Sequence, residues 1–233
     1  MAEGLILIPT YNERENIQIL IPVLRGNFPQ FDILVVDDNS PDGTWDVVNK
    51  FLENDSSIKL LLRKDRQGLG RALFAGYRYA VENNYPVVIQ MDADFSHPPE
   101  YISEISKNLR ENNIVICSRY LDMESAGMEE KRLVSKLANC IARSMFLNKV
   151  KDPSSGFRGY PVSFLKRAIE YKPLSRGYFI QVEMVMLALK FGYTVKEIPF
   201  IYRKRKYGKS KLGIREGISA ISVMIRLWMR RYY

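Results

Sequence analysis

Two aspartates separated by one residue, Asp92 and Asp94, carry the clearest chemical potential in this 233-residue chain. They follow a predicted strand over 87–91, so their carboxylates would stand together at its end. Two such groups can share a hard divalent cation, and Mg²⁺ commonly completes its shell with water and phosphate oxygens. A cation held there could bridge a diphosphate and neutralise charge on a leaving group. The pair therefore indicates a metal–diphosphate site.

Polar residues also end two earlier predicted strands. Residues 9–13 read Pro-Thr-Tyr-Asn-Glu, and residues 37–40 read Asp-Asp-Asn-Ser. Either cluster alone would be an ordinary turn, because Asp and Asn are common turn residues. Three such clusters at one sheet edge would form a rim of carboxylates that repels a bare polyphosphate unless a cation bridges them. The pattern favours a cation-dependent site for a phosphate-bearing ligand.

The elements that must position these residues alternate between strands and helices. Strands are predicted at 5–8, 33–36, 59–62, 87–91 and 114–117, with helices at about 12–24, from 44, at about 68–82 and from 98. Asn12, with Glu15 three residues on, is the predicted N-cap of the first helix. This alternation predicts an α/β fold with a Rossmann-like, mostly parallel sheet flanked by helices. Ligands of such sheets bind beyond the carboxyl ends of the strands, where all three clusters would lie.

The second half of the chain is less regular. Residues 121–131 read as a polar loop, with a helix after it. Residues 151–160 (KDPSSGFRGY) are rich in turn formers, and a helix at 181–191 and a strand at 194–199 follow. No internal repeat or low-complexity linker separates the two halves, so they are expected to form one domain.

Several competing sites are excluded by their missing motifs. A dinucleotide-binding domain needs GxGxxG after its first strand, where this chain has Pro-Thr-Tyr-Asn-Glu. Gly68 and Gly70 follow the third strand instead, and neither a GxxxxGK[ST] loop nor a GxSxG elbow occurs. The single histidine, His97, fits a helix start or packing beside the aspartate pair better than a metal-ligand role.

Composition limits the setting in which the protein works. The hydrophobic fraction of 46% suits an α/β domain with a real core and excludes a disordered chain. Cys117 and Cys140 are too few for a disulfide framework, so a reducing, cytoplasmic setting is expected. The N-terminus lacks a signal-peptide pattern, and no uncharged run approaches the ~18 apolar residues of a transmembrane helix. The chain is therefore not expected to span a membrane by itself.

The charge excess lies at the C-terminal end of the chain. Residues 201–233 contain ten Lys or Arg and one acid, whereas the remaining residues contain 25 of each sign. A basic segment of this kind predicts a polyanionic partner, such as nucleic acid, anionic lipid or a phosphate-bearing substrate. No RNA-binding motif or dispersed basic groove accompanies the run from Arg203 to Lys211, so nucleic acid is not expected as a partner.

The segment 213–233 is predicted to form an amphipathic C-terminal helix. Apolar side chains recur at helical spacing at Ile214, Ile218, Ile221, Ile225 and Trp228. One interpretation is a surface helix packed on the domain. The other is an element that lies in a membrane interface, because Trp228, Tyr232 and Tyr233 are residue types that favour the headgroup layer.

Four stretches of the first half, IPTYNERENI, VVDDNSPDGTWD, DADFSHPPE and CSRY, resemble the family 2 glycosyltransferases with the GT-A fold. The later stretches GFRGY, GYFIQVEM and YGKSKL narrow the resemblance to the dolichol-phosphate mannose synthases and their polyprenyl-phosphate relatives. It runs in the same order from about Leu5 to Leu212, and residues 1–212 are expected to form the GT-A domain. It implies an inverting transfer of mannose from GDP-mannose to dolichyl or polyprenyl phosphate with Mg²⁺ or Mn²⁺. The protein would then be peripheral on the cytoplasmic face of a membrane. The sequence leaves open whether a separate membrane subunit assists it.

The resemblance also implies roles for individual residues. The nucleotide pocket would be lined by Pro9, Tyr11 and Glu13, with Val36 and Asp38 at the base or ribose. Metal and diphosphate would be held by Asp92, Ala93 and Asp94. Phosphates would be bound by Arg119, Arg205 and Lys211, with Arg132 on the acceptor side; Asp94 and the three arginines form the implied catalytic set. Many relatives have a glutamine as a third metal ligand at the position where this chain has Ser96. Ser96 is the corresponding candidate ligand here, but its side chain is shorter, and a water molecule could take its place on the metal.

A phosphate acceptor removes the need for a catalytic base. The second pKa of a phosphate monoester is about 6, so such an acceptor arrives ionised. The enzyme must then hold an anionic nucleophile beside an anionic leaving group, and arginines and a metal ion relieve the repulsion. Glu183, in GYFIQVEM, could face the site or serve as a structural partner of a nearby arginine.

Two other functions stay open at this point. One is a different family 2 transferase, for example a polyprenyl-phosphate glucosyltransferase that uses UDP-glucose, or an enzyme with a soluble acceptor. The other is a non-catalytic basic module that binds a membrane surface or nucleic acid. The stretch DADFSHPPE resembles the mannosyl branch more than the DADLQDPPE pattern of UDP-glucose users, which favours GDP-mannose. Mn²⁺-dependent binding of a nucleoside diphosphate would separate both enzymes from the module.

Overall fold

The computed structural model describes residues 2–65, 67–121 and 150–203, and every structural statement below refers to these ranges. The elements in chain order are β1 (Gly4–Thr10), α1 (Arg14–Asn27), β2 (Phe31–Asp37), α2 (Thr44–Leu52), β3 (Ile58–Leu62), α3 (Leu69–Glu82), β4 (Val87–Gln90), α4 (Tyr101–Asn108), β5 (Asn113–Ser118), β6 (Arg158–Pro161), α5 (Val162–Tyr171), α6 (Ile180–Lys190) and β7 (Thr194–Pro199).

The described strands form one sheet in the order β3-β2-β1-β4-β6-β5-β7. Neighbouring strands run parallel except at β6, which pairs antiparallel with both β4 and β5. The strand order changes direction between β1 and β4, because the chain first builds outward to β3 and then crosses back. Such a switch point opens a crevice at the carboxyl ends of the strands. The predicted mostly parallel sheet flanked by helices is confirmed.

Both faces of the sheet are apolar, as a sheet between two helix layers requires. In β1, Leu5 and Leu7 belong to the core under α3, α5 and α6, whereas Ile6 and Ile8 belong to the core under α1, α2 and α4. Successive side chains of a strand alternate between faces, which explains this division. All four side chains are fully buried, and each contributes about 1.5–3 kcal/mol. The apolar strands thus anchor the polar residues that follow them.

The start and course of the first helix differ from the sequence expectation. Helix α1 begins at Arg14 with Glu13 at the N-cap position, and Asn12 lies outside it with a positive φ of 55°. The backbone N–H groups of Asn12 and Glu13 donate to side chains of the neighbouring β2–α2 turn, and that of Arg14, the first helical residue, donates to Asp42 Oδ2 at 3.1 Å. Pro22 lies inside α1, where packing of the apolar face outweighs the hydrogen bond that proline removes.

The stretch 151–160, expected as turns, leads into strand β6, and helix α5 after it was not expected. Gly159 explains how closely α4 fits against this strand, because a Cβ at this position would lie 2.5 Å from Cγ2 of Ile105 in α4. Only a glycine lets α4 pack this closely on β6. The antiparallel register sets Arg158 opposite Gln90, so the start of β6 lies at the same sheet edge as the end of β4.

Several predicted features lie outside the described residues. They are Arg132, Arg205, Lys211, the helix predicted after residue 131 and the C-terminal helix 213–233. Among the helices of residues 2–65, 67–121 and 150–203, none combines the length and the hydropathy needed to cross a bilayer.

Candidate active site

The ends of β1 and β2 are joined by a buried carboxylate. Asp37 is fully buried at the end of β2, and its Oδ2 accepts hydrogen bonds from Thr10 Oγ1 at 2.7 Å and from Ser40 Oγ at 2.6 Å. Its Oδ1 accepts the backbone N–H of Ser40 at 2.8 Å. Three donors satisfy this carboxylate, so Asp37 fixes the turn after β2 to the end of β1.

The turn before α1 is held against the turn before α2. The backbone N–H of Asn12 donates to Ser40 Oγ at 2.9 Å, and that of Glu13 donates to Thr44 Oγ1 at 3.0 Å. Asp42 in turn accepts the N–H and hydroxyl of Thr44. The half-buried nucleotide-pocket candidates at the end of β1, Pro9, Tyr11 and Glu13, are therefore presented by a doubly braced turn.

Asp38 is oriented by a cation from the next strand. Its Oδ1 lies 2.6 Å from Nη1 of Arg63, which follows β3, and its Oδ2 accepts the backbone N–H of Gln67 at 3.2 Å. Asp38 is 5% exposed, so the ion pair is largely shielded from solvent. Val36 is fully buried in the strand that leads to it. The structure therefore gives Asp38 a fixed orientation at the carboxyl end of β2.

The aspartate pair follows β4 in a tight turn. Asp94 is 2% exposed, and its Oδ1 accepts hydrogen bonds from the N–H of Ser96 at 3.0 Å and from its hydroxyl at 2.6 Å. The Asp92 side chain is 33% exposed, and its backbone N–H donates to Nδ1 of His97 at 2.9 Å. Phe95 has a positive φ of 61°, which turns the chain sharply after the pair. Ser96 therefore orients the Asp94 carboxylate, and His97 holds the backbone at Asp92.

His97 is a packed residue as well as a hydrogen-bond acceptor. Its ring stacks on Phe157 with centroids 5.0 Å apart and meets Phe200 edge-on at 6.1 Å. Its Nε2 lies 3.9 Å from Oδ2 of Asp92. Packing beside the aspartate pair is one of the two roles that the sequence favoured, and the two aromatic rings fix the imidazole next to Asp92.

The residues after β4 fit a hard divalent cation that also binds phosphate. Mg²⁺ is usually held by one or two protein carboxylates and completes its octahedral shell with water and substrate phosphate. Asp92 and Asp94 supply two carboxylates, and no cluster of three or more His, Cys, Asp or Glu with metal-binding geometry occurs among the described residues. Ser96 Oγ stands 2.6 Å from Asp94 Oδ1, and its part as a third ligand remains a prediction.

Arg119, just after β5, is held in a two-pronged ion pair with Asp152. Arg119 Nε lies 2.7 Å from Oδ2, and Nη2 lies 2.8 Å from Oδ1 and also donates to Ser154 Oγ at 2.9 Å. Asp152 is fully buried, and its backbone N–H donates to Glu197 of β7 at 2.8 Å. The sequence analysis missed Asp152, because 33 residues separate it from its partner.

The ion pair shifts the pKa of both groups. Burial alone would raise the pKa of Asp152, but the charge and hydrogen bonds of Arg119 outweigh burial and lower it from its ordinary value of 3.8. For Arg119, burial acts to lower the pKa, and the charge of Asp152 and its hydrogen bonds raise it overall. Both groups are therefore charged across the physiological range, and the pair fixes a cation at the end of β5.

The segment after β7 runs beside the aspartate pair. The backbone N–H of Arg203 donates to the carbonyl of Ser96 at 3.4 Å, and the N–H of Ile201 donates to Tyr101 Oη at 3.2 Å. The ring of Tyr202 lies 6.0 Å from the guanidinium carbon of Arg119. The start of the basic run is thus adjacent to the turn that carries Asp94.

A buried arginine and the first turn of α6 complete this edge of the sheet. Arg158 is fully buried, and its guanidinium donates to the carbonyls of Pro153, Ser155 and Gln181. Glu183 is also fully buried, and its two oxygens accept the N–H groups of Leu174 and Ser175 at 2.8 Å. Of the two roles left open for Glu183, the structural one holds, with backbone groups and not an arginine as its partners.

The described candidates occupy one edge of the sheet. At the carboxyl ends of β1, β2, β4 and β5 lie Pro9, Tyr11, Glu13, Val36, Asp38, Asp92, Ala93, Asp94, Ser96 and Arg119. The remaining candidates, Arg132, Arg205 and Lys211, lie outside the described residues. An edge with a carboxylate pair, a fixed arginine and a braced turn can bind a nucleotide diphosphate through a cation and position an electrophile beside it.

Comparisons with known proteins agree with this geometry. The chain is 35% identical over 212 residues to an undecaprenyl-phosphate mannosyltransferase of Micrococcus luteus, covering 90% of this chain and 87% of that protein. It is 33% identical over 225 residues to a polyprenol monophosphomannose synthase of Mycolicibacterium smegmatis, covering 94% and 85%.

Solved structures share the architecture at low sequence identity. A glucosyl-3-phosphoglycerate synthase from Mycobacterium tuberculosis, in complex with Mn²⁺, UDP and glucosyl-3-phosphoglycerate, superposes with a TM-score of 0.73 at 15% identity, covering 95% of this chain and 78% of that one. A mannosyltransferase from Pyrobaculum calidifontis, in complex with GDP-Man and Mn²⁺, gives a TM-score of 0.57 at 17% identity, covering 87% and 58%. This likeness bears out the GT-A fold.

The match to a protein family covers most of the described sheet. Residues 5–168 match the family described as Glycosyl transferase family 2. The match begins in β1, includes the turn with both aspartates and extends into α5. The chain therefore belongs to glycosyl transferase family 2 and is a glycosyltransferase.

Proposed function

We propose that this glycosyltransferase transfers mannose from GDP-mannose to dolichyl phosphate or another polyprenyl phosphate, with inversion at the anomeric carbon. The observation that carries the proposal is the similarity, over 90% of the chain, to a relative named as an undecaprenyl-phosphate mannosyltransferase. That name gives the sugar and the class of acceptor but not the nucleotide. GDP as the nucleotide rests on the DADFSHPPE stretch and on the GDP-Man in the similar P. calidifontis structure.

The donor would lie across the switch point between β1 and β4. Its base and ribose would contact the braced turns after β1 and β2, near Tyr11 and Asp38. Its diphosphate would reach Asp92 and Asp94, which would share Mg²⁺ or Mn²⁺ with the phosphate oxygens. When bound, the cation would neutralise charge on the departing diphosphate. The Asp94 carboxylate is already oriented by Ser96, and the backbone of Asp92 is held by His97, so little rearrangement of this turn would be required.

The proposed reaction moves no proton. An oxygen of the acceptor phosphate attacks the anomeric carbon from the side opposite the nucleotide, while the bond from that carbon to the diphosphate oxygen breaks. GDP leaves, and a polyprenyl-phosphate mannose is formed. The reaction therefore needs no catalytic base. Glu183 and His97 are instead used in structural hydrogen bonds: Glu183 accepts two backbone N–H groups, and His97 accepts the N–H of Asp92.

Cationic side chains would reduce the repulsion between acceptor and leaving group. Arg119 is held at this edge by an ion pair with Asp152, whose charge offsets that of the guanidinium, and Arg203 starts the basic run beside Ser96. Arg132, Arg205 and Lys211 are proposed as further phosphate contacts from the family resemblance. Guanidinium groups suit this role because their planar donors match phosphate oxygens.

The test is a donor screen with a short-chain prenyl phosphate as the acceptor. GDP-mannose, GDP-glucose, UDP-glucose and UDP-N-acetylglucosamine are compared at equal concentration with Mn²⁺ and with Mg²⁺, and the lipid product is identified by mass spectrometry. We expect GDP-mannose to be turned over at least about tenfold faster than the others. Faster turnover of UDP-glucose would establish the glucosyltransferase alternative, and metal-independent binding without turnover would favour the non-catalytic module.

We further propose that the protein works at the cytoplasmic face of a membrane as a peripheral protein. Its proposed acceptor is anchored in a bilayer, and residues 201–233 carry an excess of nine positive charges. Each Lys or Arg near an anionic surface contributes about 1 kcal/mol, which is enough for reversible docking. Flotation with anionic liposomes should be salt-sensitive for the full chain and lost on deletion of residues 214–233. Equal flotation of both proteins would rule out this role for the tail.

A further inference from the structure

Gln181, in the first turn of α6, has a fixed backbone and a buried side chain. Its carbonyl accepts a hydrogen bond from Arg158 Nη1 at 2.9 Å, and its N–H donates to the carbonyl of Tyr178 at 3.2 Å. The residue is only 2% exposed. These contacts fix the backbone of Gln181, and burial restricts the conformations that its side-chain amide can adopt.

The side-chain oxygen of Gln181 lacks a hydrogen-bond partner among the described residues. Oε1 is buried from solvent, and no donor from residues 2–65, 67–121 or 150–203 reaches it. A buried acceptor without a donor is destabilising, and such atoms are uncommon in native proteins. A polar atom of this kind is explained when a ligand supplies the missing donor.

The Gln181 amide lies beside the aspartate pair, across a glycine. A Cβ at Gly156 would lie 3.7 Å from Gln181 Nε2, 3.7 Å from Asp92 Oδ1 and 3.3 Å from His97 Cε1. The glycine itself is held by Gln90, whose Nε2 donates to its carbonyl at 2.8 Å. A side chain at position 156 would therefore fill the space that the amide and the carboxylate flank.

We infer that Gln181 binds hydroxyl groups of the transferred sugar and helps to determine which sugar is used. The inference rests on the proposed function, in which the diphosphate lies at Asp92 and Asp94. The sugar is bonded directly to that diphosphate, so it must lie within a few ångströms of the pair. One sugar hydroxyl would donate to Oε1, and Nε2 would donate to a hydroxyl oxygen beside it. An amide has both a donor and an acceptor, which suits two adjacent hydroxyls.

Gln90 provides a matched control for a purely structural glutamine. It is also fully buried at this sheet edge, but its amide is satisfied within the protein by Tyr77 Oη and by the Gly156 carbonyl. Replacing Gln90 by methionine removes two hydrogen bonds and should lower the unfolding midpoint. Replacing Gln181 by methionine removes an unpartnered acceptor, so its unfolding midpoint should stay the same or rise.

The experiment measures binding of GDP-mannose and of GDP, each with Mn²⁺, to the full chain and to Gln181→Met by isothermal titration calorimetry. We expect the variant to bind GDP within about twofold of the wild type and to bind GDP-mannose about tenfold more weakly, the effect of about one hydrogen bond to the sugar. Unchanged GDP-mannose affinity, or an equal loss of GDP affinity, would overturn the inference, as would a loss of stability like that of Gln90→Met.

A second pair of ligands separates this inference from the proposed function. UDP-glucose and UDP are titrated into the wild type under the same conditions. If UDP-glucose binds more tightly than GDP-mannose, the mannosyl proposal fails, and the Gln181 comparison is made with UDP-glucose and UDP, with the same expected tenfold ratio. If neither sugar nucleotide binds, both proposals are overturned. A series of mono-deoxy sugar nucleotides then identifies the hydroxyl, because its loss should weaken binding to the wild type but not to Gln181→Met.

Discussion

Two parts of the same sheet edge use their acidic residues differently. At the ends of β1 and β2, Asp37 is fully buried and accepts three hydrogen bonds from Thr10 and Ser40. After β4, the Asp92 side chain is one-third exposed, and the nearby Gln181 Oε1 has no partner in the described chain. In sequence both places are acidic residues at the end of an apolar strand. The difference lies in whether the protein itself completes the hydrogen bonds.

The comparison separates a structural carboxylate from ligand-binding residues. Asp37 uses its oxygens to join two turns, so its contribution should appear mainly in stability. Asp92 and Asp94 stand in a turn that their neighbours only orient, so their contribution should appear mainly in ligand binding and turnover. Asp38 lies between these cases, because it is buried and paired with Arg63 yet points from the end of β2.

The largest effect is expected from Asp94→Asn. Asparagine keeps an oxygen to accept the hydrogen bonds of Ser96 but loses the negative charge that a divalent cation requires. Mannosyl transfer to a prenyl phosphate should fall by at least about 100-fold, while the unfolding midpoint stays close to that of the wild type. Excess EDTA should reproduce the loss in the wild type, and added Mn²⁺ should reverse it. Full turnover in EDTA would contradict this assignment.

The second-largest effect concerns stability and its pH dependence. Asp152→Asn removes the charge of a fully buried carboxylate and leaves Arg119, whose side chain is 20% exposed, without its charged partner. Chemical denaturation at neutral pH should show a loss of about 2–3 kcal/mol, below the full value for a completely buried pair because Arg119 is partly solvated.

The pH profile of Asp152→Asn follows from the lowered pKa of Asp152. Because the folded carboxyl binds its proton more weakly than the unfolded one, the pair's stabilisation is complete above the ordinary pKa of 3.8 and is lost as pH falls through the lower folded value. The difference between wild type and variant should therefore be constant from about pH 5 to 7 and shrink below about pH 4. A difference that persists in acid would mean that packing, and not charge, is what the substitution removes.

Asp37→Asn tests the structural side of the comparison. The amide nitrogen cannot accept the hydrogen bonds that the carboxylate receives from Thr10 and Ser40, so unfolding free energy should fall by about 1–3 kcal/mol. At a temperature where the variant is still folded, its Mn²⁺-dependent affinity for GDP should change by less than about threefold. A large loss of affinity without a loss of stability would mean that Asp37 binds the ligand as Asp94 does, and that the two parts of the edge do not differ in function.

Much of the fold was predictable because strand and helix patterns are local. Apolar runs predicted five strands of the first half, and the observed bounds extend them by one or two residues at most ends. Strand β6 was missed because a stretch with Gly159 and Pro161 reads as turns. It is a strand because it pairs with β4 and β5, and Gly159 leaves room for α4 to pack on it; no local pattern contains these tertiary contacts.

The site was predictable where its residues are adjacent in sequence and unpredictable where they come from distant segments. The spacing of Asp92 and Asp94 after a predicted strand was enough to indicate a metal site. The partner of Arg119 is Asp152, 33 residues away, and the residues next to Asp92 in space include Gly156 and Gln181. No local pattern connects these positions. Gln181 lies in the first turn of an apolar helix, where a polar residue is an ordinary occurrence in sequence. Its burial and its unpartnered oxygen emerge only when β4, β6 and α6 are brought together.

The smallest effect is expected from Arg203→Ala, and its value lies in the contrast with Arg205→Ala. The Arg203 guanidinium lies 2.6 Å from Glu100, but both side chains are more than half exposed, at 59% and 54%. Solvent screens such a pair, so turnover and stability should be unchanged within error. The backbone N–H that donates to Ser96 is present in either variant, so the turn next to Asp94 should keep that contact.

Arg205 lies two residues on, six before Lys211, at the position that the family resemblance assigns to a phosphate contact. Arg205→Ala should therefore reduce turnover by at least about tenfold, with most of the loss at low concentrations of the prenyl phosphate. Steady-state kinetics of both variants with GDP-mannose and with the acceptor give the comparison directly. Equal and small effects would mean that the basic run acts as a diffuse field around the site. An effect confined to Arg203 would mean that its contact with Glu100 holds this part of the chain in place.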